Sequence, residues 1–226
     1  EKINDNNTVE IIYDIERGDK ALIKQIKFIG DKKYKARKLH SIITTEESKF
    51  WKFISKGKYL DSERINLDNR LLRNFYLNKG YYQVQVENAH SQLFDKTNFS
   101  VIFKIDAGEK FLFNDLNFTI PDDFDPKKFK KITKVFKKLK NSPYSYRKIE
   151  KILDEIDKIA VQANYEFIDA TVSETIVDGN KIDFNFFIKE SNKIYVERIN
   201  ILGNNITQEE FIRNQLVVDE GDPFNV

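Results

Sequence analysis

Three stretches of the chain repeat one pattern at matching offsets. Val9, Ile11, Tyr13 and Ile15 alternate with other residues and are followed by Gly18; Phe99, Val101, Phe103 and Ile105 lead to Gly108; Ile182, Phe184, Phe186 and Ile188 lead to Ser191. The offsets are 90 and 83 residues. A second ladder, Ile26-Lys27-Phe28, Leu116-Asn117-Phe118 and Ile199-Asn200-Ile201, repeats them. Two independent strand patterns with one spacing divide the chain into modules of about 85 residues, and a stacked array favours a binding surface over a catalytic pocket.

Composition narrows the class further. A module of this size buries only about 60% of its unfolded surface, so each is marginal and leans on its neighbours. There is no apolar run near the roughly 20 residues of a membrane helix. Cysteine is absent, which excludes disulfides, thiol catalysis and Cys-ligated metal. Methionine is absent even at position 1, which reads as an internal stretch of a longer chain. A formal net charge of +2 gives no global argument for nucleic acid. No Walker loop, G-x-S-x-G or H-E-x-x-H motif occurs, His40 and His90 lack ligand spacing, and paired carboxylates such as Glu46-Glu47 read as loop charges. No catalytic constellation, metal site or cofactor motif stands out, and an enzyme is not expected.

Each full module reads β-α-α-β-β. The first has a strand over Ile23–Ile29 closed by Gly30-Asp31, a helix through Leu39, Ile42 and Ile43, and a second helix over Asp61–Leu77 whose apolar stripe Asp68 interrupts. Gly80 stands where a C-cap glycine belongs, and strands Tyr82–Leu93 and Phe99–Ile105 complete the unit. A parity change from Val84 and Val86 to Ala89 and Leu93 predicts a β-bulge near Glu87-Asn88. The next module has strand Phe111–Ile120, helices over Pro126–Leu139 and Ser145–Ala163, strand Phe167–Ile176, and strand Ile182–Ile188 after an Asp178-Gly179-Asn180 turn. A third begins at Ile194 with a strand, then a helix opened by the Thr207 and Glu210 capping box.

Topology follows from connection rules. The last two strands form a hairpin, and the first joins parallel to the last through a two-helix crossover. The fold is α+β: tandem modules, each a three-stranded mixed sheet covered by two helices. The strand after the second helix lies on an open edge that could pair with an extended peptide, or could merely be guarded against aggregation. The edge candidates are Gln83, Val84, Gln85, Val86, Glu87, Asn88 and Ala89 in the first module and Ile168, Asp169, Ala170, Thr171 and Val172 in the second.

These features resemble POTRA (polypeptide-transport-associated) domains. The resemblance rests on the β-α-α-β-β repeat, on Asn74-Phe75-Tyr76-Leu77-Asn78-Lys79-Gly80-Tyr81, on Ile26-Lys27-Phe28-Ile29-Gly30-Asp31, and on its echo Ile199-Asn200-Ile201-Leu202-Gly203-Asn204. It covers essentially the whole chain, and is narrower toward the arrays that precede outer-membrane β-barrel insertases of Gram-negative bacteria. On that resemblance residues 1–19 end one domain, 20–107 are third-like, 108–190 fourth-like, and 191–226 begin a fifth-like domain. The second full module departs from the pattern, with Ile120-Pro121 for Gly30-Asp31 and Asn164 for Gly80. The resemblance implies a periplasmic, chaperone-like scaffold for outer-membrane protein assembly. Its partners would be unfolded outer-membrane proteins, accessory lipoproteins and a C-terminal membrane β-barrel, with no nucleic acid; β-augmentation at Tyr82–Leu93 would be a favoured contact. A POTRA array of a related secretion or translocation pore, and a tandem α/β RNA-binding array, are the alternatives.

Other features admit two readings each. Phe50, Trp51 and Phe53 between the first module's helices form either a lid on its core or a partner patch. Gly18, Gly108 and Ser191 mark module junctions, as hinges or as plain strand exits. The lysine run over 127–140, threaded by Phe129, Ile132, Phe136 and Leu139, is a solvated helix face or a contact for a polyanion, anionic lipid or nucleic acid.

Overall fold

The computed structural model describes residues 2–3, 9–10, 20–49, 56–92, 97–122, 124–163, 165, 168–190, 195–203 and 208–222. Two compact units emerge: Glu1–Tyr76 with Gln83–Gly108, and Leu77–Tyr82 with Glu109–Val226. At the N-terminus β1 (Lys2–Ile3) pairs antiparallel with β2 (Val9–Glu10). The rest of the alternating stretch expected over Val9–Ile15 lies outside the described residues.

The first unit contains β3 (Leu22–Asp31), α1 (Ala36–His40), α2 (Ser62–Leu77), β4 (Gln85–Gln92) and β5 (Asn98–Asp106). Its sheet has the order β3-β5-β4, with β3 parallel and β4 antiparallel to the central β5. The expected crossover topology is therefore present. Val101, Phe103 and Ile105 of β5 are fully buried, as are Ile23, Leu39, Leu72 and Tyr76 of the same unit. An inner strand paired on both sides and covered by helices must be apolar at every second residue, which is why it carries the clearest alternation. Fully burying each such side chain contributes roughly 1.5–3 kcal/mol.

The first helix is shorter than its apolar spacing suggests. It stops at His40, and Ile42 and Ile43 follow in the turn beyond it. Ile43 is still buried, so its side chain serves the core without a helix. His40 packs edge-on against Phe28, with ring centroids 5.0 Å apart. Asp68 does not weaken the start of α2, which runs unbroken from Ser62. It is fully buried, and both its oxygens accept hydrogen bonds from the segment after α1.

The second unit repeats the plan with β6 (Leu112–Thr119), α3 (Lys130–Leu139), α4 (Tyr146–Gln162), β7 (Ile168–Val177) and β8 (Lys181–Glu190). Its sheet order is β6-β8-β7, with the same parallel and antiparallel pairings. Residues 126–129 form a turn ahead of α3 instead of its first helical turn. Pro121 explains why β6 is shorter than β3: proline cannot donate to the ladder and restricts the residue before it. Gly179 and Asn180 both have positive φ at the β7–β8 turn, as the Asp-Gly-Asn sequence requires.

Leu77–Tyr82 supplies part of this second unit. The Asn78 side-chain carbonyl accepts from the Arg147 N–H at 2.8 Å and the Ser145 hydroxyl at 3.0 Å. Ser145 sits at the α4 cap position without a side-chain cap bond of its own, so Asn78 does the capping from elsewhere in the chain. Gly80, at φ +98°, turns its carbonyl to the Phe111 N–H at 2.8 Å. We expect Asn78→Ala to cost the second unit about 1–2 kcal/mol, the usual loss for a removed cap, read as a shift of its urea midpoint.

Beyond β8 the expected third-unit strand is not formed. Among the described residues, 196–202 form no strand. They are held instead by Val196 N–H to the Asp222 carbonyl at 2.9 Å and by Arg213 to the Ile199 carbonyl at 2.8 Å. The helix α5 (Glu209–Arg213) starts with Gln208 in the cap position, one residue past the expected capping box. Thr207 lies outside the described residues.

Candidate open-edge binding site

Each sheet has two edges, and the structure treats them differently. The β3 edge is covered by the segment joining the two helices of its unit. Ser48 N–H donates to the Ile23 carbonyl at 2.7 Å, and Ile26 N–H donates to the Glu47 carboxylate at 3.0 Å. Leu60 N–H reaches the Ala21 carbonyl at 2.9 Å, and Tyr59 bridges Leu22. The β6 edge is covered in the same way: Phe113 exchanges bonds with Ser142 and Asn141, and Tyr144 N–H donates to the Phe111 carbonyl. The inter-helix segment is thus a repeated edge cover. Sequence reading missed it; the signal was available in the position of that segment, directly between the two helices of the crossover.

The other edges, β4 and β7, have no such cover among the described residues. Antiparallel pairing uses the N–H and C=O of every second residue, so about half of the groups of β4 face outward. Asn88, Val86 and Glu87 lie within it, with Glu87 across from Lys104 in an exposed ion pair of 3.5 Å. Gln83 and Val84 do not: they precede the strand, and Val84 is buried in the core. The expected bulge at Glu87-Asn88 is absent. The β4–β5 register is continuous from Gln85↔Asp106 to Gln92↔Phe99. Asn88, opposite Phe103, takes a half-buried place on the helix-covered side, and Ala89 is exposed on the other side. An edge strand tolerates a polar residue at such a place, so apolar parity was a misleading guide there. The register shifts fall instead in the first strands, between Ile23 and Gln25 and between Phe113 and Leu116.

All of Ile168, Asp169, Ala170, Thr171 and Val172 lie in β7. This edge is less available than β4. Asp157 of α4 is raised in pKa, first by burial and then by Asp169 and Asp154, while a hydrogen bond from the Ala170 N–H pulls the other way. The Asp157 carboxylate thus lies beside the β7 backbone at Ala170. Glu174 on β7 accepts a hydrogen bond from the Tyr82 hydroxyl at 2.6 Å; burial, then this carboxylate, push the phenol up to about 12. Gly108 has φ +64° with nothing near its Cα on the side where a Cβ would project. Phe50, Trp51, Phe53, Gly18 and Ser191 lie outside the described residues.

The three-stranded mixed sheet under two helices, present in both units, is the POTRA fold. The POTRA family profile, described as surface antigen variable number repeat, matches residues 21–108. Over 97% of its length the chain is 30% identical to the outer membrane protein assembly factor BamA of Buchnera aphidicola, and 25% identical to that of Neisseria meningitidis. It spans about a third of those relatives, 36% and 28% of their lengths. The fold matches the POTRA3-5 crystal structure of Haemophilus influenzae BamA with a TM-score of 0.70 at 16% identity, covering 93% of this chain and 83% of that one. BamA of Haemophilus ducreyi lacking POTRA domains 1-3 matches at a TM-score of 0.54 and 13% identity, over 76% of this chain and 30% of that one. No helix among the described residues is long and apolar enough to cross a membrane.

Proposed function

We propose that this POTRA array is the periplasmic scaffold of an outer-membrane protein insertase. Its role is to receive extended segments of unfolded β-barrel proteins on its open sheet edges and to dock accessory lipoproteins, acting as a binding scaffold and not as an enzyme. The observation that carries this reading is the asymmetry of the edges: in both units the first strand is covered by the inter-helix segment, leaving the strand after the second helix. We place the principal client contact on β4, because on β7 the Asp157 carboxylate lies beside the backbone at Ala170 and Glu174 is bound to Tyr82. The third-like, fourth-like and fifth-like domain numbering belongs to this reading.

Backbone pairing reads side chains weakly, so it suits many client sequences. Each net hydrogen bond contributes about 1 kcal/mol, offset by ordering the peptide, so affinity should be weak. In an NMR titration with an extended outer-membrane-protein peptide, shifts should concentrate on Gln85–Gln92, with a smaller response in Ile168–Val177. N-methylating the peptide at alternate residues should abolish binding for one parity and spare it for the other, because only one parity donates to the edge. Shifts that avoid both strands, or equal loss for both parities, would exclude edge pairing.

A further inference from the structure

The first helix of the second unit carries a charge pattern that edge pairing does not use. Between Lys127 and Lys140 stand eight lysines and no acidic or arginine residue, and all eight lysines are exposed. At 3.6 residues per turn, Lys137, Lys130, Lys134, Lys138 and Lys131 fall on about a third of the circumference of α3. Ile132 and Phe136 lie on the opposite side and are buried. The neighbouring α4 is different: its four basic residues are matched by four acidic ones. Positive charge is thus concentrated on one of the two covering helices.

Local pairing neutralises little of it. Lys131 is bound to Glu155 and Lys140 to Asp115, and Lys128 sits 5.0 Å from the Tyr165 ring centroid. Lys127, Lys130, Lys134, Lys137 and Lys138 have no carboxylate partner among the described residues. The chemistry of the face selects its partner. Lysines are mobile point charges, whereas arginine gives the planar fork that reads a phosphate bidentately. Nucleic-acid grooves add exposed aromatics for base stacking, and here Phe129 and Phe136 are buried. A comb of lysines without arginine forks, whose own helix aromatics are buried, fits a diffuse lattice of anionic headgroups. Because the apolar stripe is used in the core, this helix cannot insert, and attraction must be electrostatic.

We propose that the lysine face of α3 adsorbs the second unit onto an anionic lipid surface. The test is co-sedimentation of the full chain with phosphatidylcholine vesicles, with and without phosphatidylglycerol, at low and high salt. Binding is expected only to the anionic vesicles and only at low salt. Substituting Lys130, Lys134, Lys137 and Lys138 with Gln keeps helix propensity and removes none of the ion pairs above. At about fivefold per lysine near the surface, this variant should bind at least about a hundredfold more weakly. A charge-matched control with Lys24, Lys27, Lys35 and Arg37 changed to Gln should bind as the unmodified chain does. Equal loss in the control, indifference to lipid charge, or tighter binding to single-stranded RNA than to vesicles would overturn the proposal. Peptide shifts on β4 should survive in the α3 variant, so failure here and failure of edge pairing are distinguishable.

Discussion

Replacing Gly30 with alanine should destabilise the first unit by about 3–5 kcal/mol, among the largest effects of any single substitution in this chain. Gly30 is next to last in β3, paired with Ile105, and has φ +87°. A Cβ there would lie far inside van der Waals contact of the Ile105 carbonyl oxygen, which is backbone and cannot rotate away. Alanine would therefore carry two costs, the left-handed conformation, about 1–2 kcal/mol, and separation of β3 from the central strand. The second cost dominates, because Ile105 is fully buried and the β3–β5 ladder continues beyond Gly30 to Asp31. Urea unfolding should show the lost stability, and hydrogen exchange should show early loss of protection in β5. A midpoint shift worth less than about 1 kcal/mol would mean that the strand relaxes around the methyl group, and the steric account would be wrong.

Gly30 also illustrates what was legible beforehand. As a strand terminator it was readable from Gly30-Asp31; its contact with Ile105 was not, since that needs the parallel register. The inner strands were the most legible elements, because double pairing and helix cover force strict alternation on Val101, Phe103 and Ile105 and on Ile182, Phe184 and Phe186. The sheet order followed from loop lengths and crossover rules. Edge strand β4 was less legible: with one neighbour it admits Asn88 on the covered side, so a change of parity looked like a bulge. Non-local polar bonds were the least legible. Asn78 caps a helix whose first residue lies 68 positions further on, and Asp68 looked like a break in an apolar stripe. Neither partner is visible without the fold. The candidate site was legible as an open edge. Its choice over the opposite edge rests on the cover laid along β3 and β6, which is long-range structure.

That cover makes Asp68 the second sensitive position, with a consequence beyond stability. Its carboxylate accepts from Thr44 N–H at 2.6 Å, Thr44 Oγ1 at 2.8 Å and Thr45 N–H at 3.0 Å. These bonds anchor the start of the segment that runs on to Glu47 and Ser48, the residues bonded to Ile26 and Ile23 on the β3 edge. Hydrogen bonds to a charged group contribute about 1.5–3 kcal/mol each, and they are not independent here, so Asp68→Ala should cost about 3–4 kcal/mol. Asp68→Asn should recover only part of this, because an amide offers one acceptor oxygen where two are used. The alanine variant should also free the β3 edge. Amide exchange should accelerate at Thr44, Thr45 and Ile26, and an extended peptide should then shift β3 resonances as well as β4. The covering segment, anchored by one buried carboxylate, would thereby be what confines pairing to a single edge of the sheet. If Asp68→Ala destabilises as expected but leaves Ile26 protected, the cover is held by Ser48 and Leu60 instead, and Asp68 serves the core alone.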